Sequence, residues 1–157
     1  MIDFEIFAMI ENMGGAPSFS FAPYQDVNAI PSRGDGSAGP IEMKAGKSFS
    51  QGYASAGSLL LNEKPEPSPA GTLYKISIPG FYPKPSKAML KLFAEMLGQR
   101  FIVLVTDNNG DTSIAGNPTE PLAFSYARST KQVAGERAGY DFEFSGTLTQ
   151  SCPFLAV

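Results

Sequence analysis

The sequence contains no histidine, no tryptophan and a single cysteine, Cys152. Without histidine, Ser-His-Asp and Cys-His nucleophiles, imidazole acid–base chemistry and the common zinc and iron ligand sets are excluded. One cysteine cannot form an internal disulfide, so nothing marks an oxidising compartment. No run of about 18 apolar residues occurs, and Asp3 and Glu5 stand where a secretory signal would carry Lys or Arg. These features predict a chain made in the cytoplasm, with no membrane partner. Charge is also sparse. Lys plus Arg number 12 against 15 Asp plus Glu, for a net charge of -3. With no extended basic run, there is no electrostatic case for nucleic-acid binding along the chain.

What is present fits one folded domain spanning 1–157. The hydrophobic fraction is 43%, with 12 Phe and 6 Tyr, enough to bury a single core without metal or disulfide. Phe4, Ile6, Ala8 and Ile10 alternate as a half-buried strand would. Residues 14–58 are rich in Gly, Ser, Ala and Pro and read as a long loop or arm. Loops of that length are commonly functional or ordered by a partner. Its apolar anchors, Phe19, Phe21, Tyr24, Phe49 and Tyr53, come only at intervals. Residues 62–70 hold Pro65, Pro67 and Pro69 and read as an extended, solvated connector.

Regular signals follow. Thr72–Ile78 reads as a strand stopped by Pro79-Gly80. Ser86 can cap a helix over about residues 86–97, with Gly98 at its end. Met89, Leu90, Leu92, Phe93, Met96 and Leu97 form its apolar face. Phe101–Val105 is a continuous apolar run, as in a central strand covered on both faces. Asn109-Gly110 predicts a two-residue hairpin turn back through Thr112–Ala115. Leu122–Ala127 alternates, residues 128–139 read as a polar loop, and Tyr140, Phe142 and Phe144 line one face of a last strand with Asp141, Glu143 and Ser145 opposite. The expected class is mainly β, a sandwich or barrel-like fold of six or seven strands with one flanking α-helix.

The chemical motifs are weak. Gly34-Asp35-Gly36-Ser37-Ala38-Gly39 matches a dinucleotide-binding pattern by letter but lacks the preceding strand and following helix that place amides on a pyrophosphate. Asp107, Asn109 and Asp111 imitate half of a calcium loop, but Thr112 and Pro118 stand where its Gly and bidentate Glu belong. No Ser-x-x-Lys dyad and no G-x-S-x-G elbow occurs. The reading is non-enzymatic, with no cofactor and no metal. Lys84, Lys87 and Lys91 lie at helical spacing, as a solvated face or as a contact for an acidic neighbour. Cys152, beside Pro153-Phe154-Leu155, reads as a small hydrophobe rather than a reactive thiol.

Four stretches carry a resemblance. They are Gly71–Pro83, Arg100–Gly110, Pro121–Tyr126 and Gly139–Gly146. They resemble a family of small β-rich structural proteins of the tail or neck of tailed bacteriophages and prophages. The resemblance covers roughly the last 90 residues and includes no catalytic signature. It implies a tail-tube-like fold and a virion component, made in the host bacterial cytoplasm, that assembles as a homo-oligomeric ring or tube with other phage virion proteins. Passing DNA would then be met without specific binding. Residues 1–31 carry Asp3, Glu5, Glu11 and Asp26 and no Lys or Arg, which would keep a conducted genome from adhering. Phe19, Phe21, Tyr24, Phe49, Tyr53, Lys84, Lys87 and Lys91 are the candidate subunit contacts, although the aromatic residues could equally cover this subunit's own core. The alternative function is a β-sandwich module that binds a host glycan or receptor.

Overall fold

The computed structural model describes residues 18–55, 57–83, 85–129 and 138–156. The strand expected over 2–10, Lys84 and most of the loop expected over 128–139 lie outside the described residues. The fold is mainly β, a sheet curled into a half-barrel with one flanking helix. Among the described residues, seven strands have four or more residues: β1 (Ser18–Pro23), β6 (Asn62–Ser68), β7 (Gly71–Pro83), β8 (Arg100–Thr106), β9 (Thr112–Ala115), β10 (Leu122–Ser129) and β11 (Gly139–Leu148). Shorter pieces are β2 (Val27–Ala29), β3 (Ser37–Ala38), β4 (Glu42–Met43), β5 (Ser50–Gln51) and β12 (Phe154–Leu155). The large sheet runs β3-β12-β9-β8-β10-β11-β7-β6, with β1 also on β8 and β5 on β1.

Strand β8 is the keel of this arrangement. Its residues Phe101 to Thr106 pair with β1 along one edge; the other edge takes β9 at Val103–Thr106 and β10 at Arg100–Phe101. Both faces are covered, as the apolar run requires. Phe101, Val103 and Val105 point into the main core, whereas Ile102 and Leu104 belong to a second cluster with Val27, Ala38 and Ile114. That second cluster is built by the Gly/Ser/Pro-rich region, through Tyr24, Ile30, Ile41, Met43 and Phe49. The segment expected as a loop or arm over 14–58 is thus, from Ser18 on, a strand plus a cover for the outer side of β8. Its local signal is the period-two pair Phe19 and Phe21, both fully buried.

Helix α1 (Lys87–Met96) starts where Ser86 accepts a hydrogen bond from the Met89 amide at 3.2 Å, and ends before Gly98 at φ 79°. Met89, Leu92, Phe93 and Met96 are buried. Phe93 is the hub. Its ring stands edge-on to Tyr140 at 4.9 Å and packs on Phe124, Tyr126, Tyr82 and Phe142. Truncating such a residue costs about 3–5 kcal/mol. Leu90 and Leu97, expected on the buried face, are exposed instead.

Three further expectations are corrected by the sheet. Strand β7 does not stop at Pro79-Gly80. The Pro79 carbonyl accepts from the Leu60 amide, so the ring nitrogen faces the edge that β6 has already left, and no ladder bond is lost. Gly80 faces Phe142, and a Cβ there would lie 2.5 Å from the ring, so glycine is what lets the aromatic lie across the strand. Residues 62–68, expected as a connector, are extended but paired with β7 as an edge strand. The turn at Asn109-Gly110 is longer than two residues. Asp107 and Asp111 close it by a backbone bond, and the Asp107 carboxylate accepts from the Asn109 and Asp111 amides at 2.8 and 3.0 Å.

Candidate functional site

The solvent side of β10, β11 and β7 forms a concave surface. Cross-strand register lines up two rows on that face: Ser125–Glu143–Pro79 and Ala127–Asp141–Phe81. They floor a shallow depression of about 380 Å³. Small side chains at Ser125 and Ala127 keep one bank low. On the other bank the Phe81 ring lies over Gly139, where any Cβ would collide with it. The loop after β5 closes the rim: the Ser55 amide donates to the Phe81 carbonyl at 2.8 Å, and the Phe81 amide donates to the Ser58 hydroxyl at 3.1 Å.

Asp141 and Glu143 stand on alternate residues of β11, so their Cα atoms are about 7 Å apart and their carboxylates share the face. Neither forms an ion pair among the described residues; the ion pairs there, Lys64–Glu66 and Lys75–Glu66, lie along the β6–β7 edge. Two hydrogen-bond-accepting acids beside an aromatic ring can receive hydroxyl or cationic groups. The alternation of Tyr140, Phe142 and Phe144 against these acids is visible in the sequence. The apposition of Phe81 is not, because it depends on register with a strand some sixty residues away.

The expected contact residues separate into three groups. Phe19, Phe21 and Tyr53 are 2%, 0% and 6% exposed and lie in this chain's own core. These rings pack this chain's own core, the alternative that the sequence left open for them. Tyr24 and Phe49 are half-buried against the second cluster. Lys87 and Lys91 are exposed on α1.

Among the described residues, two groups have displaced proton affinities, and both are explained structurally. Asp35 is held below its ordinary value, chiefly by the Ser37 hydroxyl and then by the Ser37 amide, which donate to it at 2.5 and 3.0 Å. It sits at the tip of a hairpin loop in which the Arg33 amide donates to the Ser37 carbonyl and the Gly39 amide to that of Pro31. The glycine pattern is therefore a loop tip, with neither strand nor helix placed for a pyrophosphate. The Cys152 thiol is pushed up to about 12 by burial, with the Glu63 carboxylate adding to it. Among the described residues no three His, Cys, Asp or Glu side chains gather as a metal site, and no helix is long and apolar enough to cross a membrane. No protein-family model, curated protein or solved structure matches the chain.

Proposed function

We propose that this chain is a non-enzymatic structural subunit of a tailed-phage virion, a tail-tube-like or tail-completion protein that assembles into rings. The observation that carries the reading is a sheet that curls without closing, its two ends at β3 and β6. Such a half-barrel leaves different surfaces on opposite sides, and contact between unlike surfaces closes a ring or builds a tube. The core is complete within one subunit, so the building block is preformed. The absence of Lys and Arg from residues 1–31, whose acids include Asp26 on a 3-10 turn (Tyr24–Asp26), suits a wall past which DNA slides without binding.

Strand addition at β6 is not the assembly contact in this reading. Residues Asn62–Ser68 are all in register with β7; antiparallel ladder bonds fall on alternate residues, and since Pro65 and Pro67 have no N–H to give, the backbone of Glu63, Pro65 and Pro67 is the set turned outward. Two of those three outward positions lack an N–H, so the edge is blunted against another strand. Faces and α1 remain for contacts.

The test is light scattering at several concentrations, with negative-stain electron microscopy of the same samples. Rings or tubes are expected. A chain that stays monomeric at high concentration and binds glycans would overturn this reading in favour of a carbohydrate-binding module. The depression with Phe81, Asp141 and Glu143 is the feature that favours that second reading, and Asp141→Ala with Phe81→Ala would then abolish binding.

A further inference from the structure

The outer face of helix α1 is ordered in rows. Successive helical residues turn by about 100°. That sets Leu90 and Leu97 along one flank, Lys87 and Lys91 along the crest and Glu95 on the other flank, with Ala94 between the leucines and the lysines. All six are exposed, Leu90 by 38% and Leu97 by 46%. Neither lysine forms an ion pair among the described residues. The solvent side of β7, β11 and β10 is ordered in matching rows, strand by strand: Pro79 and Phe81, then Glu143 and Asp141, then Ser125 and Ala127. An apolar row thus lies beside an acidic row, as on the helix an apolar row lies beside a basic one. The spacings agree as well. Lys87 and Lys91 are about 6 Å apart along the helix axis, and the Cα atoms of Glu143 and Asp141 are about 7 Å apart along their strand.

The two surfaces lie on opposite sides of one sheet. Through Phe93, α1 packs on Phe124, Tyr126 and Phe142. The depression is floored by the alternate residues of the same strands, and alternate residues of a strand point to opposite faces. A helix cannot fill the depression behind its own sheet, so the occupant is another molecule. We infer that α1 of one copy of this chain seats in the depression of the next, with Leu90 and Leu97 against Pro79 and Phe81, and Lys87 and Lys91 against Glu143 and Asp141. A second copy is the occupant because this chain supplies the opposite charge at the matching spacing. The lysine stems lie along the apolar contact and carry their ammonium groups to the carboxylates. Glu95, on the far flank from the leucines, falls towards Ser125 and Ala127 and meets no acid. The contact joins unlike surfaces, so it repeats head to tail and closes a ring or extends a tube. A ten-residue helix covers on the order of a few hundred Å² of each partner, less than the ~800 Å² of a standard interface. Each ring member makes the contact twice, once through its helix and once through its sheet, and closure holds together contacts that are weak singly. The inference rests on the assembly reading above and names its contact.

Sedimentation velocity on the full chain at several concentrations tests it by charge exchange. Lys87→Glu with Lys91→Glu, and separately Asp141→Lys with Glu143→Lys, should each weaken self-association about tenfold or more. The four substitutions together should restore it. Mixing the two reversed proteins should also restore it, because each then meets a partner of opposite charge at both surfaces. All four side chains lie outside the core clusters, and unchanged circular dichroism and melting verify folding. Asp141→Asn with Glu143→Gln removes the charge at nearly constant shape and should weaken association several-fold, even where the reversal on β11 disturbs folding. Leu90→Ser with Leu97→Ser should weaken it without any change of charge. Association that survives every variant would overturn the docking while leaving the assembly reading standing. Reversed proteins that are weakened alone and fail to complement on mixing would overturn the pairing of helix with sheet. A wild-type chain that is monomeric at all concentrations would overturn both the docking and the assembly reading.

Discussion

The Tyr140 hydroxyl is buried with no hydrogen-bond partner among the described residues, inside an aromatic cage that includes Phe93 and Tyr126. A buried donor left unmade costs about 1–3 kcal/mol, whereas the ring itself contributes packing. Tyr140→Phe should therefore stabilise the protein by about 1 kcal/mol in urea unfolding; a fall in stability would mean that the hydroxyl is satisfied after all. Cys152 yields a second prediction, with a pH sign. Its pKa rises from 9.0 to about 12 in the folded chain, first by burial and then by Glu63, whose carboxylate also accepts from the Cys152 amide at 2.6 Å and from the Ser151 hydroxyl at 2.8 Å. Between those pH values the folded chain keeps a proton that the unfolded chain releases. The thiol's contribution is therefore complete below pH 9 and is lost as pH climbs towards 12. Cys152→Ala should flatten that alkaline decline in thermal melts. At pH 8 the native thiol should react with alkylating reagents far more slowly than in the denatured chain, and Glu63→Gln should speed the reaction. These residue-scale features are invisible in sequence, since Glu63 and Cys152 meet only because the segment after β11 runs beside β6.

At the scale of elements, legibility followed periodicity. Helix α1 was readable from Ser86, the apolar spacing and Gly98, and β8, β10 and β11 from apolar runs or alternation, because each pattern is set by one local period. What period alone does not supply is which flank of an over-apolar helix is left uncovered, hence Leu90 and Leu97. Proline was the misleading signal. Pro79 is harmless within β7 because its nitrogen faces the edge beyond the β6 pairing, where Leu60 donates to the Pro79 carbonyl and needs nothing from its nitrogen. Pro65 and Pro67 sit in a strand because their nitrogens face outward. Both outcomes depend on pairing partners rather than on neighbours in sequence. The same outward nitrogens make a prediction. Pro65→Thr with Pro67→Thr restores two donors on a paired, extended edge, and should convert β6 into a template for strand addition. Size-exclusion chromatography should show new high-mass species, and thioflavin binding should rise on incubation. A double variant that behaves as the wild type would mean that the edge is protected by something other than its prolines.

The whole molecule is organised by two apolar clusters on opposite faces of β8, and this explains why residues 14–58 looked like an arm. Val27, Ala38, Met43 and Phe49 are scattered among Gly, Ser and Pro, so no local period marks them, yet each reaches the same outer face of one strand. The segment's structure is tertiary in origin: its chain is ordered by β8 and β9 rather than by its own propensities. A shared strand also couples the clusters energetically, because losing the outer cover would expose Ile102 and Ile114, both almost fully buried, while β8 still carried the inner core. Unfolding should therefore be one transition, with near- and far-ultraviolet circular dichroism midpoints coinciding. Ile102→Ala, facing only the outer cluster, should lower the stability of the entire domain by about 2–5 kcal/mol, with an unchanged denaturant slope. The contrary result is hydrogen exchange that accelerates only over residues 24–49 while the β10–β11 amides stay protected, which would make the outer cover a separate unit of stability. A single transition would instead deliver to assembly a subunit in which β1 and the outer cover are as firmly held as the inner core, because both lean on β8.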